Sequence, residues 1–240
     1  MTRLFRRDTI PLHALRGGER RRPEMAEQRA LALFDFDGTL IRGDSILAYL
    51  RHARRLKALS RGEYLKLGLH AIPWLLKKKS DEALKGEAVA FSMRLSPERR
   101  YALNRSFAEE CLLPRVFPAG RACLERHRQA GRLVVIVSAS PENYMEFVAP
   151  GLGADALLCT QLLSEMATGP NCKGQEKVRR IEAYLAQAGI GPNWADSYAY
   201  GDSTSDLPML RLCAHPVAVN PKRKLRRAAP EMATVKWKEK

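Results

Sequence analysis

The stretch Leu31-Ala-Leu-Phe-Asp-Phe-Asp-Gly-Thr-Leu40 constrains the fold of this chain more than any other. It starts as a short apolar run and ends on two aspartates, Asp35 and Asp37, with Gly38 and Thr39 directly behind them. Such a run predicts a buried parallel strand whose carboxyl end opens into a loop. Residues two apart on a strand point the same way, so both carboxylates are expected at one site. Two carboxylates held together repel each other unless a cation or a shared proton offsets them. A metal-dependent active site is the leading explanation for the pair.

The rest of the chain places a helical block and then an alternation of strands and helices behind that strand. Residues 1–29 contain eight arginines and little apolar periodicity. They read as a basic, mobile tail, with Met25 available as an alternative start. Residues 42–115 show helix-like spacing (Ile46, Leu47, Tyr49, Leu50; then Tyr64, Leu65, Leu67, Leu69) and no strand pattern. Ser80-Asp81-Glu82 and Ser96-Pro97-Glu98 are expected helix starts. This block is basic, with sixteen Lys and Arg against eight Asp and Glu.

From residue 116 onward, Ala119–Ala130 is a predicted helix closed by Gly131. Leu133–Ser138 is the clearest strand, continuous and β-branched. Pro141–Val148 and Gln175–Ala188 are predicted helices, and Leu157–Thr160, Ser197–Tyr200 and Val217–Val219 are predicted strands, followed by a basic helix from Lys222. The expected class is α/β: a doubly wound parallel sheet built from residues 30–41 and 116–240, with a small helical cap domain inserted at 42–115.

In such a sheet, ligands bind at the carboxyl ends of the strands. The polar residues of this chain gather there: Asp35 and Asp37, Ser138, and then Gly201-Asp202-Ser203-Thr204-Ser205-Asp206. Lys177 or Lys173, near the start of the helix between them, adds an ammonium group. Carboxylate oxygens are the donors Mg²⁺ prefers, whereas zinc favours nitrogen and sulfur.

The formal charge of +15 calls first for a solvated basic surface, and then for anionic partners. Nucleic acid ranks last among these, because no helix-turn-helix, zinc-finger or aromatic RNP-like pattern accompanies the charge. Leu67–Leu76 contains His70 and Pro73 and stops at Lys77-Lys78-Lys79, which is too short to span a bilayer. Peripheral contact with an anionic membrane through this tract is a minor alternative. Five cysteines stand singly, without zinc spacing, and point to a reducing cytoplasm. His52, His70, His127, His215 and Trp74 read as packing or surface residues. Oligomeric state is not encoded in any pattern found.

Asp35-Phe-Asp37-Gly38-Thr39, Ser138, Lys177 and Gly201-Asp202-x-x-x-Asp206 together resemble the four motifs of the haloacid dehalogenase superfamily. The cap position and Gly43-Asp44-Ser45-Ile46-Leu47 are most similar to its phosphoserine phosphatase-like branch. The resemblance implies a phosphomonoester phosphatase with Asp35 as nucleophile and Asp37 as acid and base. It implies phosphoryl contacts from Ser138, Lys177, Gly38 and Thr39. Mg²⁺ would be bound by Asp35, Asp202 and the backbone carbonyl of Asp37, with Asp206 behind them. Asp44 lies where that branch carries a substrate-facing glutamate. Ser205 and Gly38 depart from the branch's asparagine and serine, which argues against phosphoserine itself. The expected substrate is a small phosphometabolite. Phosphoserine, histidinol phosphate and a phospholipid headgroup are the alternatives, and a non-catalytic anion-binding regulator is the competing class.

Overall fold

All four side chains of the run Leu31–Phe34 are buried, as expected of a strand covered on both faces. The structure, a computed structural model, describes residues 27–75, 81–163 and 168–239. The chain begins with β1 (Glu27–Arg29) and β2 (Leu31–Phe34). A helical insertion follows: α1 (Ser45–Arg55), α2 (Arg61–Leu75), α3 (Asp81–Met93) and α4 (Pro97–Ser106), closed by a wide π turn at Phe107–Leu112 and a tight turn at Leu113–Arg115. Then come α5 (Pro118–Gln129), β3 (Leu133–Pro141), α6 (Glu142–Gly151), β4 (Ala156–Thr160) and α7 (Gln175–Ala188). The fold ends with β5 (Ile190–Pro192), β6 (Tyr198–Gly201), α8 (Leu207–Leu210), β7 (His215–Val219), α9 (Arg223–Ala228) and β8 (Ala233–Val235).

Six strands form one sheet in the order β4-β3-β2-β6-β7-β8, every pair parallel. The strand carrying the paired aspartates is therefore interior, between β3 and β6. Its side chains alternate between two cores. Ala32 and Phe34, with Val134 and Ile136, face Tyr49, Phe107, Leu124, Tyr144 and Val148. Leu31 and Leu33, with Val135 and Val137, face Ile181, Leu185 and Leu210. Tyr49, Phe91 and Phe107 belong to the first core, so the insertion packs on the sheet side of the molecule as one apolar body with it. The chain leaves the sheet at Ile41 and returns at Val116, and these crossings pair. Ile41 and Val116 form an antiparallel bridge, and Phe117 N donates to Leu40 O at 2.9 Å.

Local chemistry explains the boundaries. Asp44 caps α1, accepting from the N–H groups of Ile46 and Leu47, and Ser96 caps α4 ahead of Pro97. Gly189 stops α7 in the left-handed region at φ 66°. One sequence boundary needs correction: Glu27–Arg29, assigned to the tail, pair in parallel with Ile190–Pro192. A three-residue strand carries no periodicity to read. The remainder of the tail, the helix start at Ser80 and Lys77-Lys78-Lys79 lie outside the described residues, as do the side chains of His70 and Trp74. Among the described residues no helix is long and apolar enough to cross a membrane.

Candidate active site

β2 delivers Asp35 to the carboxyl edge of the sheet, where Asp35 N continues the ladder to Tyr200 O at 3.0 Å. Its buried carboxylate accepts from Lys177 Nζ at 2.7 Å on one oxygen and from Thr39 Oγ1 at 3.0 Å on the other. Lys177 projects from the first turn of α7 and also donates to Asp206 Oδ1 at 2.7 Å. Its side chain is 1% exposed, so this ammonium has exchanged water for two carboxylates. The other oxygen of Asp206 accepts from Ser203 N and Ser203 Oγ, which fixes the turn after β6. Asp202 completes the group: one oxygen each from Asp35, Asp202 and Asp206 lie within 4.8 Å of one another.

Electrostatics follow from that crowding. Burial, then the charge on Asp206, pushes the Asp35 carboxyl up to about 7 against the pull of Lys177. Burial also works to raise Asp206, but Lys177 and the Ser203 donors outweigh it and hold that carboxyl below its usual range. Burial opposes the charge on Lys177 too, and its two carboxylates win, holding it protonated. Asp202 is raised by burial and partly restored by Lys222, whose Nζ lies 2.7 Å from Asp202 Oδ2.

Asp37 lines the same cleft but belongs to a different network. Its Oδ1 accepts from Ser45 N at 2.9 Å, and its Oδ2 accepts from Ser45 Oγ at 2.9 Å and Ser140 Oγ at 2.6 Å. Ser45 Oγ also lies 2.8 Å from the buried Tyr144 hydroxyl. Burial, followed by the neighbouring charge of Asp44, pushes the Asp37 carboxyl up to about 6, while Ser140 and Ser45 restrain it. Asp37 is therefore poised to exchange a proton near neutral pH, beside a carboxylate held by an ammonium ion.

A cleft of about 460 Å³ joins the two networks, lined by Asp35, Asp37, Ser138, Lys177, Asp202 and Asp206 together with Asp44, Lys85 and Lys222. Ser138 is buried and its hydroxyl accepts from Ser140 N at 3.0 Å. Of the two candidate lysines, Lys177 sits inside the carboxylate group, whereas Lys173 is an exposed residue on the cleft wall. Asp44 lines the cleft as well, but its Oδ1 already caps α1.

Gly38 and Thr39 differ from the sequence expectation. Gly38 N donates to Ile41 O at 2.9 Å, Thr39 N donates to Phe36 O at 3.2 Å, and the Thr39 hydroxyl serves Asp35. Their donors close the turn and brace the carboxylate, so they are not offered to a phosphoryl group. Gly38 is required for another reason: it sits at φ +84°, and a Cβ there would lie 2.2 Å from Asp202 Oδ2.

Ser45, Ser140 and Lys222 are absent from the sequence expectations. Ser140 lies two residues past Ser138, so the period-two rule that groups Asp35 with Asp37 applies to these serines as well. Ser45 follows the α1 cap directly. Lys222 has no local signal, because its partner is twenty residues upstream and only the β6–β7 pairing brings them together.

The donor set suits a hard cation. Three buried carboxylates converge with no nitrogen or sulfur ligand among them, and their mutual repulsion is only partly offset by Lys177.

A parallel sheet that gathers acidic groups at the carboxyl edge of its interior strands, under a helical insertion, defines a capped α/β enzyme. The family model for haloacid dehalogenase-like hydrolases matches residues 32–211, and the chain belongs to that family. Curated relatives include a probable phosphatase of Mycobacterium tuberculosis, 31% identical over 210 residues that cover 84% of this chain and 72% of the relative. A histidinol-phosphatase of Neisseria meningitidis serogroup C is 29% identical over 234 residues, covering 84% of this chain and 95% of that one. Among solved structures, a protein with unknown function from Bordetella pertussis Tohama I superposes with TM-score 0.77 at 23% identity, covering 87% of this chain and 98% of its own. A substrate-bound phosphoserine phosphatase superposes with TM-score 0.55 at 20% identity, covering 85% and 98%. Within the family, the fold is that of the phosphoserine phosphatase-like branch.

Proposed function

We propose that this chain is a Mg²⁺-dependent phosphomonoester phosphatase that turns over a small phosphometabolite through an aspartyl-phosphate. One observation carries the reading. Asp35 is presented at the floor of the cleft with its charge balanced by Lys177, while Asp37, two residues on, is held by hydroxyl donors in a separate network. One carboxylate is thus equipped to attack and the other to move protons.

In the first step an Asp35 oxygen attacks phosphorus, the ester P–O bond breaks, and Asp37 gives its proton to the departing alkoxide. In the second step Asp37 takes a proton from water, which attacks phosphorus, releasing inorganic phosphate and regenerating Asp35. Lys177 and Ser138, which line the cleft with Asp35, would stabilise charge on the phosphoryl group as it develops. The carboxylates of Asp35 and Asp202 and the main-chain carbonyl of Asp37 would hold the metal, with Asp206 fixing Lys177 behind them. When bound, Mg²⁺ supplies positive charge to the carboxylates and to the phosphoryl oxygens. Relatives named as histidinol-phosphatase and phosphoserine phosphatase support a small phosphorylated metabolite as the substrate class.

The test is release of phosphate from p-nitrophenyl phosphate by the full chain with Mg²⁺, with EDTA, and with Asp35→Asn. Turnover is expected to need the metal and to fall by about 10³-fold or more in the variant. Metal-independent turnover, or an active Asp35→Asn protein, refutes the mechanism. A panel of phosphometabolites and phospholipids scored by kcat/KM then ranks the substrates.

A further inference from the structure

Two ammonium groups touch the carboxylate group, and they are anchored very differently. Lys177 is 1% exposed and bridges Asp35 to Asp206, so it cannot leave without uncovering two buried charges. The Lys222 side chain is 64% exposed and makes one contact with the group, to Asp202 Oδ2 at 2.7 Å. Its backbone is fixed, with Lys222 N donating to Asp202 O at 2.8 Å. The side chain lies between two cavities, the catalytic cleft and a second one lined by Gly38, Arg42, Phe117, Asn220 and Trp237. A flexible four-carbon arm with an immobile root and open space on both sides can swing without disturbing the fold.

We infer that Lys222 is a displaceable counter-ion that holds the Asp202 carboxylate in place when no divalent cation is bound and competes with Mg²⁺ for it. The inference rests on the metal-dependent reading above and adds a determinant of metal affinity to it. An ammonium ion 2.7 Å from Asp202 Oδ2 offsets part of the negative charge that a divalent cation would draw on, so the two oppose each other at this carboxylate. A cation at Asp202 therefore weakens the Lys222 contact, and the free energy lost there subtracts from metal binding. Gly38 sharpens the competition. Its missing Cβ leaves the space in which Asp202 Oδ2 lies, at contact distance from Lys222.

The experiment is calorimetric titration of Mg²⁺ into the EDTA-stripped full chain, paired with thermal unfolding in the metal-free and metal-loaded states. Lys222→Met and Lys222→Gln are expected to bind Mg²⁺ about tenfold more tightly than wild type. Each is also expected to unfold a few degrees lower without metal, with most of that deficit removed by Mg²⁺. Lys222→Arg, whose planar fork grips a carboxylate at two points, is expected to bind Mg²⁺ no more tightly than wild type. Unchanged or weaker Mg²⁺ binding in the Met and Gln variants overturns the inference. So does an equal loss of Tm in both states, which is the signature of a merely structural contact. Wild-type protein that takes up no Mg²⁺ overturns the metal reading and this inference together, whereas normal wild-type binding with unresponsive variants overturns the inference alone.

Discussion

Asp35 and Asp37 are separated by one residue, yet their carboxylates live in different electrostatic settings, and the difference is made by residues far away in sequence. Asp35 meets an ammonium from α7 and Asp37 meets hydroxyls from α1 and β3. Ser140 donates the shortest of the Asp37 contacts, so it controls where the proposed acid and base points and how readily it gives up its proton. Ser140→Ala is expected to lower kcat by about ten- to a hundredfold while KM changes little, because the lost contact aims a proton donor and does not bind substrate. Steady-state kinetics with p-nitrophenyl phosphate check this, and a change confined to KM contradicts it. The same contrast explains what could be read from sequence. Asp35, Asp37, Ser138, Asp202 and Asp206 each sit at or near a strand end, a position that periodicity reveals, whereas Lys177 opens a helix. The partner of Lys222 depends on which strands become neighbours, so its place in the site is hidden in the sequence, whereas Ser140 shares the period-two signal of Ser138. The phosphoryl contacts expected of Gly38 and Thr39 rest on family resemblance, and the internal hydrogen bonds of their turn are not displayed by the sequence.

At the scale of elements, among the described residues Lys85 on α3 ties the insertion to the catalytic edge by two hydrogen bonds. Its Nζ donates to Ala139 O at 2.6 Å on β3 and to Asn171 Oδ1 at 2.7 Å. Ala139 O also accepts from Thr160 Oγ1, so Lys85 binds to the irregular end of β3, where pairing with β4 shifts register between Ser138 and Pro141. Lys85→Met is expected to loosen α3 from the sheet edge. Hydrogen exchange of the α3 amides should accelerate about tenfold, with α7 and β2 unaffected; equal exchange in wild type and variant refutes the tether. The insertion itself was legible because seventy residues of helical spacing contain no strand pattern. Two other features, one in the insertion and one in the sheets, were not. The π turn at Phe107–Leu112 depends on an extra residue being tolerated by packing, and β1, β5 and β8 are each three residues long, too short to show a period.

Stability of the whole molecule couples to pH through a buried histidine that does not line the cleft. His127 packs against Phe34 and lies 2.8 Å from the Tyr200 hydroxyl through Nε2, while its Nδ1 is buried without a partner. Burial, with Arg132 and Arg126 adding to it, pushes this imidazole down to about 4 from its ordinary 6.5. The unfolded chain therefore takes up the proton first as pH falls. The contribution is fully present above about pH 6.5 and is lost progressively down to about pH 4, a drop worth roughly 3 kcal/mol. Urea unfolding of wild type and His127→Gln at pH 7 and pH 4.5 checks it: the advantage of wild type over the variant should shrink by about 2 kcal/mol at the lower pH. An advantage independent of pH sinks the claim. Finally, the insertion departs at Ile41 and returns at Val116, and those two residues are bridged to each other. The chain thus enters and leaves the helical block through one narrow doorway, while Asp35, the proposed nucleophile, and the carboxylate group stay on the sheet side of it. Replacing the block would leave Asp35, Lys177, Asp202 and Asp206 in place, but any replacement would have to supply what Ser45 gives to Asp37.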